Sequence, residues 1–319
     1  MVLDRHDGAV TIGPFARLLE CLRSGDLLVV NDTRVSARRH VVRLPSGRIG
    51  EVLLLRPAGD REWEALVYPG KNMRAGVEIV FGTRCCDEVR AIVTDRTPDG
   101  GRVLRFADAA ARDSMAASGE APLPPYIRER LADEERYQTV YGTHPGSAAA
   151  PTAGLHFTEE MLTAAQNLGV QVARLTLHVG VDTFRPVRED DVDRHVMHGE
   201  WYSIGQAASE AIAACRGRIV AVGTTVVRAL ESAARDEGSV TAGSGVTRLF
   251  IRPGHQFRVV EALLTNFHLP RSTLLMLVSA FAGREAVLAA YRRAVAEQMR
   301  FYSFGDAMLV IASEGRRRS

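Results

Sequence analysis

The sequence predicts an α/β protein that combines a mostly parallel sheet or partial barrel with a small antiparallel β-barrel or sandwich. Three observations lead to this fold class. Short β-rich runs punctuated by Gly, Pro and Asp occupy residues 26–106. From residue 151 onwards strand-like and helix-like segments alternate, which is typical of parallel sheets with crossover helices. The length of 319 residues fits about two domains, at roughly 150 residues per domain.

Composition narrows the class of protein. Apolar residues make up 46% of the chain and charged residues 24%, which excludes a largely disordered protein. The net charge of +2 neither demands nor excludes a nucleic-acid partner. The four cysteines contain no C-x-x-C pair, so a reduced cytoplasmic location is expected. Residues 1–10 have no apolar signal core and the apolar stretch 273–283 is too short to span a bilayer, so we expect no membrane partner.

The first half of the chain is predicted to contain six short strands, because β-branched and apolar runs lie between turn residues. These strands are expected at residues 27–30, 52–55, 63–67, 77–81, 89–93 and 103–106.

The second half is predicted to alternate between the two element types. A helix begins after Thr158, which is an N-cap residue, and ends at Gly169. Ser272 caps the apolar helix noted above. Further helices are expected at residues 206–215, 226–235 and 284–300, and strands at 170–179, 219–222, 259–264 and 307–311.

Four polar loops indicate where a ligand binds. Loops that leave the carboxyl ends of parallel strands share one edge of the sheet, and ligands bind there. Three such loops, at residues 178–184, 223–225 and 265–270, are therefore expected to converge on one cleft. A fourth, at residues 303–306, precedes its strand, so a parallel arrangement would place it at the opposite end.

Several residues in these loops have both a chemical and a structural interpretation. Gly223, Thr224 and Thr225 lie between a strand and a helix, where free N–H groups bind an anion or where a Thr simply caps the helix. The motif HxMHxE at residues 195–200 is compatible with zinc, but polar histidines that act as acid or base fit its spacing better. Three further histidines lie in loops flanked by Gly or Pro, and at least one of them is expected to be catalytic: His156, His178 and His268.

Two clusters of basic residues are candidate contacts for RNA. Asp32 and Arg34 follow the first apolar strand, either as an Asx turn or as a functional polar cluster. Arginines that accompany them contact a phosphate backbone in one interpretation and form a solvated face in the other. These groups are Arg34, Arg38, Arg39, His40 and Arg43, with a second set at Arg128, Arg130 and Arg136.

Long ordered motifs resemble a known family. They are PLPPYI at 122–127, RYQTVY at 136–141, AAPTAGLHF at 149–157, TLHVG at 176–180, HxMHxE at 195–200, VGTTxxRxLES at 222–232, LTNFHLPxSTL at 264–274 and GDAM at 305–308. Together they resemble the S-adenosylmethionine:tRNA ribosyltransferase-isomerases of queuosine biosynthesis over residues 26–311. The resemblance implies a barrel-like α/β main domain, discontinuous in sequence at residues 1–37 and 145–319, with a small antiparallel β-barrel inserted at 38–144.

The resemblance also implies a reaction. The family transfers and isomerises the ribosyl group of S-adenosylmethionine onto the aminomethyl group of a 7-deazaguanine at the wobble position of tRNA. Epoxyqueuosine-tRNA forms, and adenine and methionine leave. S-adenosylmethionine is then a ribosyl-donating co-substrate, and neither a prosthetic group nor a metal is implied.

The chemistry and the matched motifs assign expected roles. Removal of the C5′ proton beside the sulfonium needs a base, for which His156, His178 and His268 are candidates. The donor is expected on Gly223, Thr224, Thr225, Arg228, Glu231 and Asn266. The deazaguanine or the tRNA is expected on Asp32, Arg34, His195, His198 and Glu200.

The sequence departs from the family pattern at three places. An opening segment that precedes the stretch matched by residues 1–5 has no counterpart, and residues 31–39 are one residue shorter than the family's NDTRVIPARL. Asp182 stands where the family has Gly, which puts a carboxylate into a rim loop. Three other hypotheses therefore remain: a paralogue that uses the same donor on a small molecule, a non-catalytic tRNA-binding remnant, and a metal-dependent hydrolase.

Overall fold

The protein consists of two compact units. The computed structural model describes residues 1–82, 88–97, 100–124, 126–127, 131–180, 197–236 and 238–312. The first unit comprises Met1–Arg34, Glu135–His144 and Ala150–Ser319, and the second comprises Val35–Glu134 and Pro145–Ala149. The predicted boundaries, at residues 37/38 and 144/145, differ from this division chiefly at Glu135–His144. The assignment of donor binding and catalysis to the first unit stays a prediction.

A nine-stranded mixed sheet forms the first unit. Its strands, in their order across the sheet, are β15 (Gly243–Thr247), β13 (Glu200–Ile204), β12 (Gln171–Leu177), β3 (Leu27–Asn31), β14 (Ile219–Val222), β16 (Ala262–Asn266), β17 (Ala307–Ile311), β1 (Val2–Asp4) and β2 (Val10–Thr11).

The central strands of this sheet are parallel and its flanks are mixed. Strands β12, β3, β14 and β16 run in the same direction. Strand β13 pairs antiparallel with β12 and β15, and β17 pairs antiparallel with β16 but parallel with β1. Every residue of β3 and β14 is buried, as expected for strands covered on both faces. The predicted α/β fold class is confirmed, with antiparallel strands at the sheet's flanks where the sequence predicted a mostly parallel arrangement.

Seven α-helices accompany the strands in the described part of the chain. They are α1 (Leu18–Cys21), α2 (Ala109–Ala117), α3 (Glu159–Asn167), α4 (Gln206–Ala214), α5 (Thr224–Ala233), α6 (Thr273–Ala282) and α7 (Arg284–Ala296). Three short 3-10 turns cover Phe15–Arg17, Glu134–Tyr137 and Thr152–His156. The predicted caps are confirmed, since the Thr158 and Ser272 side chains accept N–H groups from Met161 and Leu275.

One apolar cluster joins the sheet to its covering segments. Leu28, Val30 and Leu264 project from one face of the sheet into this cluster, where they meet Ala153 and Phe157. Side chains alternate along a strand, so Asn31 and Thr265 project to the opposite face. This alternation decides which polar groups can meet at the edge of the sheet.

The second unit contains a closed antiparallel β-barrel of six strands. Around the barrel these are β10 (Arg102–Phe106), β7 (Glu62–Tyr68), β6 (Ile49–Pro57), β5 (Arg38–Arg43), β8 (Glu78–Phe81) and β9 (Val89–Arg96). Alternate residues such as Val52, Leu54 and Phe81 fill its interior. The remaining strands, β4 (Thr33–Val35) and β11 (His144–Ser147), form a two-stranded sheet.

Within the described residues, no single helix is long and apolar enough to cross a bilayer. The consecutive helices α6 and α7 would reach that length and hydropathy only together, and they are bent by 114° relative to each other.

Candidate active site

Polar loops from four strands of the first unit meet at one edge of the sheet. The parallel strands β12, β3, β14 and β16 bring their carboxyl ends to this edge. The loop at residues 303–306 reaches the same edge because β17 runs antiparallel to β16 and pairs Ala307 with Asn266. The alternative that this loop lies at the opposite end, which would require a parallel last strand, does not apply.

Asn31, at the end of β3, connects two of these loops to a helix. Its side-chain amide donates to the Leu177 carbonyl (2.9 Å), and its Oδ1 accepts the Leu177 N–H (2.9 Å). The same Nδ2 lies 3.5 Å from Oγ1 of Thr225 in the first turn of α5. Sequence reasoning selected the neighbours of Asn31 and missed Asn31 itself. An amide that ends a fully apolar strand was the available signal, since a buried amide needs partners.

The His178 ring contacts Thr33 and Trp201. Its Nδ1 lies 2.8 Å from the Thr33 hydroxyl, and that hydroxyl lies 3.5 Å from the His144 carbonyl, to which it donates. The imidazole stacks on Trp201 with the ring centroids 4.9 Å apart. If Thr33 donates to this carbonyl, its oxygen accepts the proton of Nδ1, and Nε2 of neutral His178 carries the lone pair.

Asp32 and Arg34 lie beside this group but differ in environment. The Asp32 carboxylate is buried, accepts the Thr176 hydroxyl (2.7 Å) and lies 3.1 Å from Nδ1 of His144. Arg34 forms an ion pair with Glu135 and is about one third exposed. Asp32 thus orients an exposed imidazole that the sequence analysis did not single out.

His156 belongs to a second polar group, centred on Asn266 at the end of β16. Asn266 accepts the Thr152 hydroxyl at Oδ1 (3.1 Å) and donates from Nδ2 to the Tyr302 carbonyl (3.1 Å). These two partners fix the amide, so Nδ2 also faces Nε2 of His156 at 3.3 Å. Nε2 must then be an acceptor, and His156 is held neutral with its proton on Nδ1. Burial lowers the pKa of His156, which favours the same neutral form.

Asn266→Asp is expected to reverse the protonation preference of His156. A carboxylate at this position would face the imidazole and raise the pKa of His156 by about one unit or more. An NMR titration of the His156 ring measures this pKa. Thr152→Val, which removes a hydroxyl without adding charge, is the control and should leave the pKa low. An unchanged pKa in N266D would contradict the assigned amide orientation.

His268 is separated from this group by the alternation of β16. Its Nε2 lies 2.7 Å from the hydroxyl of Thr265, which projects to the opposite face from Asn266. The backbone N–H of His268 donates to the Tyr291 hydroxyl (2.8 Å). Burial lowers the pKa of His268 to about 4. At neutral pH this imidazole is therefore uncharged and a weak base.

The low pKa predicts acid sensitivity. Histidine in the unfolded chain has a pKa near 6.5, whereas native His268 has a pKa of about 4. Between these two pH values the unfolded chain therefore binds a proton at His268 that the native protein does not bind. Stability must then fall as the pH is lowered, by on the order of 2 kcal/mol from His268 alone at pH 5. Urea unfolding at pH 7 and pH 5 measures the loss. His268→Gln should reduce it, whereas His6→Gln, at an exposed site, should not; an equal loss in H268Q and wild type would refute this role.

The Gly223-Thr224-Thr225 motif forms the N-terminus of α5. Gly223 has φ +98°, a conformation that favours glycine. A Cβ atom at this position would lie in contact with Ala153. No side chain caps the helix, so its first N–H groups and the helix dipole are directed at this edge of the sheet. Thr224 and Thr225 are both buried.

Arg228 and Glu200 form a buried ion pair behind the helix terminus. Arg228 Nη1 donates to Glu200 Oε2, and Glu200 Oε1 accepts the Gly180 N–H (2.9 Å), two residues after His178. Arg228 Nε donates to the Leu249 carbonyl (3.2 Å), while the buried Nη2 has no hydrogen-bond partner within the described part of the chain. Both residues were predicted to touch substrate, whereas this geometry has them supporting the loop that follows His178.

Glu231, predicted to orient the donor, is an anchor in the structure. Its carboxylate accepts the backbone N–H groups of Arg258 (2.9 Å), Val259 (3.1 Å) and Val260 (3.0 Å). These bonds fix the segment that enters β16. Its two oxygens are thereby engaged by protein, so Glu231 supports the site from within the fold.

The HxMHxE motif is only partly described. His195 and Asp182 lie outside the described residues, and residues 197–199 are irregular rather than helical, with His198 exposed. Among the described residues, no group of three or more His, Cys, Asp or Glu side chains is arranged to hold a metal ion. Glu200, the carboxylate of the motif, is engaged by Arg228 and Gly180.

A cavity of about 90 Å³ opens beside His156 on the apolar face of β16 and β17. The His156 ring also stacks on Phe15 at 5.0 Å between centroids. Polar side chains at the cavity wall include Arg17, Cys21 and Asp306. The cavity therefore reaches the group centred on Asn266 through His156.

Comparisons with known proteins agree with these motifs. A family model described as queuosine biosynthesis protein matches residues 1–310. Two relatives named S-adenosylmethionine:tRNA ribosyltransferase-isomerase come from Caldanaerobacter subterraneus subsp. tengcongensis (48% identity) and Moorella thermoacetica (51%); each alignment covers 98% of this chain and 92% of the relative. The crystal structure of S-adenosylmethionine tRNA ribosyltransferase from Thermotoga maritima is 35% identical, with a TM-score of 0.52 over 98% of this chain and 91% of that one. The chain therefore belongs to the queuosine biosynthesis protein family.

Proposed function

We propose that this protein is an S-adenosylmethionine:tRNA ribosyltransferase-isomerase. It transfers and isomerises the ribosyl group of S-adenosylmethionine onto the aminomethyl group of a 7-deazaguanine at the tRNA wobble position, with release of adenine and methionine. The observation that carries the proposal is the chain of polar contacts from His178 through Thr33 and Asn31 to Thr225. These contacts support the assignment of His178 as the base and connect it to the N-terminus of α5.

His178 is the proton acceptor in this proposal. The other two candidates are less suited, because Nε2 of His156 already accepts the Asn266 amide and His268 is a weak base bonded to Thr265. A sulfonium acidifies the neighbouring C5′ protons, so a neutral imidazole can remove one of them. The Thr33 hydroxyl orients the ring for this transfer.

The N-terminus of α5 binds the anionic or hydroxyl groups of the donor. Gly223, Thr224 and Thr225 present N–H groups and hydroxyls where the helix dipole favours negative charge, such as the donor's carboxylate. Asn266 and His156 provide further fixed dipoles for departing groups. Arg228, Glu200 and Glu231 act as positioning residues, because their polar atoms hold backbone segments.

Asp32 and Arg34 receive the acceptor nucleotide. Both follow β3 and adjoin His178 through Thr33, so an amine bound there would be close to the proposed base. The reaction uses tRNA and a soluble donor, and we place it in the cytoplasm with no membrane component and no prosthetic group.

Product analysis tests the proposal. Purified protein is incubated with S-adenosylmethionine, either alone, with unmodified tRNA, or with tRNA that carries the aminomethyl-deazaguanine. Release of adenine and methionine only with the modified tRNA, together with a matching mass increase of the nucleoside, is the expected result. Release with a small-molecule acceptor would favour the paralogue hypothesis, and tRNA binding without release would favour a non-catalytic remnant. S-adenosylhomocysteine as product would refute ribosyl transfer.

A further inference from the structure

One end of the β-barrel has a concentration of unpaired positive charge. This end is formed by residues 44–48 between β5 and β6, by residues 69–77 between β7 and β8, and by the described residues Thr97, Gly100 and Gly101 between β9 and β10. Their exposed basic side chains are Arg48, Lys71, Arg74 and Arg96. None of the four has a carboxylate partner among the described residues. Asp95 lies beside Arg96, but its carboxylate accepts the backbone N–H of Arg96.

The walls of the barrel show the opposite pattern. There the arginines form ion pairs with glutamates, among them Arg39 with Glu51, Arg56 with Glu64 and Arg105 with Glu62. Such pairing cancels charge locally. Within the described residues, the cations without ion-pair partners therefore distinguish this end from the walls of the barrel.

Arg102 adds a fixed cation beneath these turns. Its guanidinium is buried and donates to the carbonyls of Met73 (2.6 Å), Gly70 (2.8 Å), Gly101 (2.8 Å) and Gly100 (2.9 Å). These partners are neutral, so its charge is held by backbone dipoles. Burial lowers the pKa of Arg102, yet an arginine side chain is basic enough to keep its proton at neutral pH. Arg102 both ties two of the turns together and contributes to their positive potential.

Exposed apolar side chains adjoin the same turns. Tyr68 is 72% exposed, Ile49 64% and Val41 54%. The register pairs Glu51 with Val41 on one side and with Tyr68 on the other, so the three side chains surround Glu51 on the outer face. Gly50 packs against Pro69 and Met73, which brings the first two turns side by side. Tyr68 is also the last residue of β7, so its exposed ring directly precedes the turn that carries Lys71 and Arg74.

We infer that this end of the barrel, defined by Arg48, Tyr68, Lys71, Arg74 and Arg96, binds the RNA of the tRNA substrate through its phosphates and an unstacked base. The inference rests on the proposed function for the identity of the RNA. Cations that lack protein partners suit phosphates, and an exposed ring beside them suits an unstacked base. Glycines with positive φ turn each of the three loops, at Gly47, Gly76 and Gly100, and leave the backbone open to close approach.

The test compares Arg48→Gln/Lys71→Gln with Arg61→Gln, a control at an exposed arginine in the turn between β6 and β7. Binding of unmodified tRNA is measured by fluorescence anisotropy over a range of KCl concentrations. The double variant should weaken binding about tenfold and reduce the slope of log K against log salt by about 1.5, as expected for two lost phosphate contacts. R61Q should stay within about twofold. Tyr68→Ala should weaken binding severalfold and Tyr68→Phe should not, since stacking needs the ring alone.

Two readouts separate this inference from the proposed function. If wild type releases adenine with modified tRNA but R48Q/K71Q binds tRNA with unchanged affinity and salt slope, the inference is wrong and the function stands. This end of the barrel would then either bind a protein or be a solvated face. If R48Q/K71Q loses tRNA affinity while wild type releases no adenine, the function is wrong and the RNA surface stands. Thermal melting confirms that each variant is folded.

Discussion

His178→Gln is expected to lower kcat for adenine release by about 10²–10⁴-fold, which is the usual contribution of a general base. The substitution removes the imidazole while keeping a polar side chain of similar reach. Binding of S-adenosylmethionine, measured by calorimetry, should change little because the α5 terminus is untouched. His6→Gln, at an exposed histidine near the N-terminus, is the matched control and should retain full activity.

The orienting role of Thr33 gives a second measurement on the same group. Thr33→Val removes the hydroxyl that lies 2.8 Å from Nδ1 of His178 and leaves the volume of the side chain unchanged. We expect kcat to fall about tenfold and its pH profile to shift, with the KM for S-adenosylmethionine unchanged. A wild-type kcat in H178Q would exclude His178 as the base, and His156 would then be the next candidate.

Arg228→Met is expected to destabilise the protein by about 3–5 kcal/mol, because it strands the buried Glu200 carboxylate without its cation. Urea unfolding measures the change. Glu200→Gln/Arg228→Met, which removes both charges and keeps an acceptor for the Gly180 N–H, should recover a large part of the loss. The resulting coupling energy separates the ion pair from the packing of Arg228.

An exposed pair provides the control for this cycle. Arg293 and Glu297 form an ion pair one helical turn apart at the end of α7, with both side chains largely exposed. Glu297→Gln should cost less than about 0.5 kcal/mol. Equal losses in R228M and E297Q would show that the Arg228–Glu200 pair is not a stabilising contact.

Regular elements were predictable where the local pattern is strong. Strands β14 and β17 occur at the predicted residues, and α6 begins after the predicted Ser272 cap. Strand β3 also occurs close to where it was predicted, but its place at the centre of the large sheet rather than among the barrel strands depends on pairings with β12 and β14 that are far away in sequence.

Strands that depend on neighbours were missed. Strand β15 contains three residues that are Gly or Ser at 243–245, and β13 begins with the charged Glu200, so neither has the apolar alternation that signals a strand. They form because each pairs antiparallel with the other. Strand β5 was also missed: it alternates exposed residues with the buried His40 and Val42, and its arginines were interpreted as phosphate contacts or as a solvated face rather than as part of a strand.

The candidate site was predictable in its location and less so in its internal roles. The rule that loops meet at the carboxyl ends of parallel strands located His178, Thr225 and Asn266 at one edge. It did not indicate that Glu200 and Arg228, 28 residues apart, satisfy each other. It also did not separate His268 from His156, because that distinction depends on which face of β16 each partner occupies.

Closure of the barrel has a further consequence for the behaviour of the protein in solution. Aggregation by strand addition requires an open row of backbone N–H and carbonyl groups, and a sheet whose last strand pairs with its first has no such row. The exposed Tyr68, Ile49 and Val41 therefore lie on a surface that another copy of the chain cannot extend into a longer sheet. The barrel can therefore expose these apolar side chains without offering an open strand edge to which another copy could add.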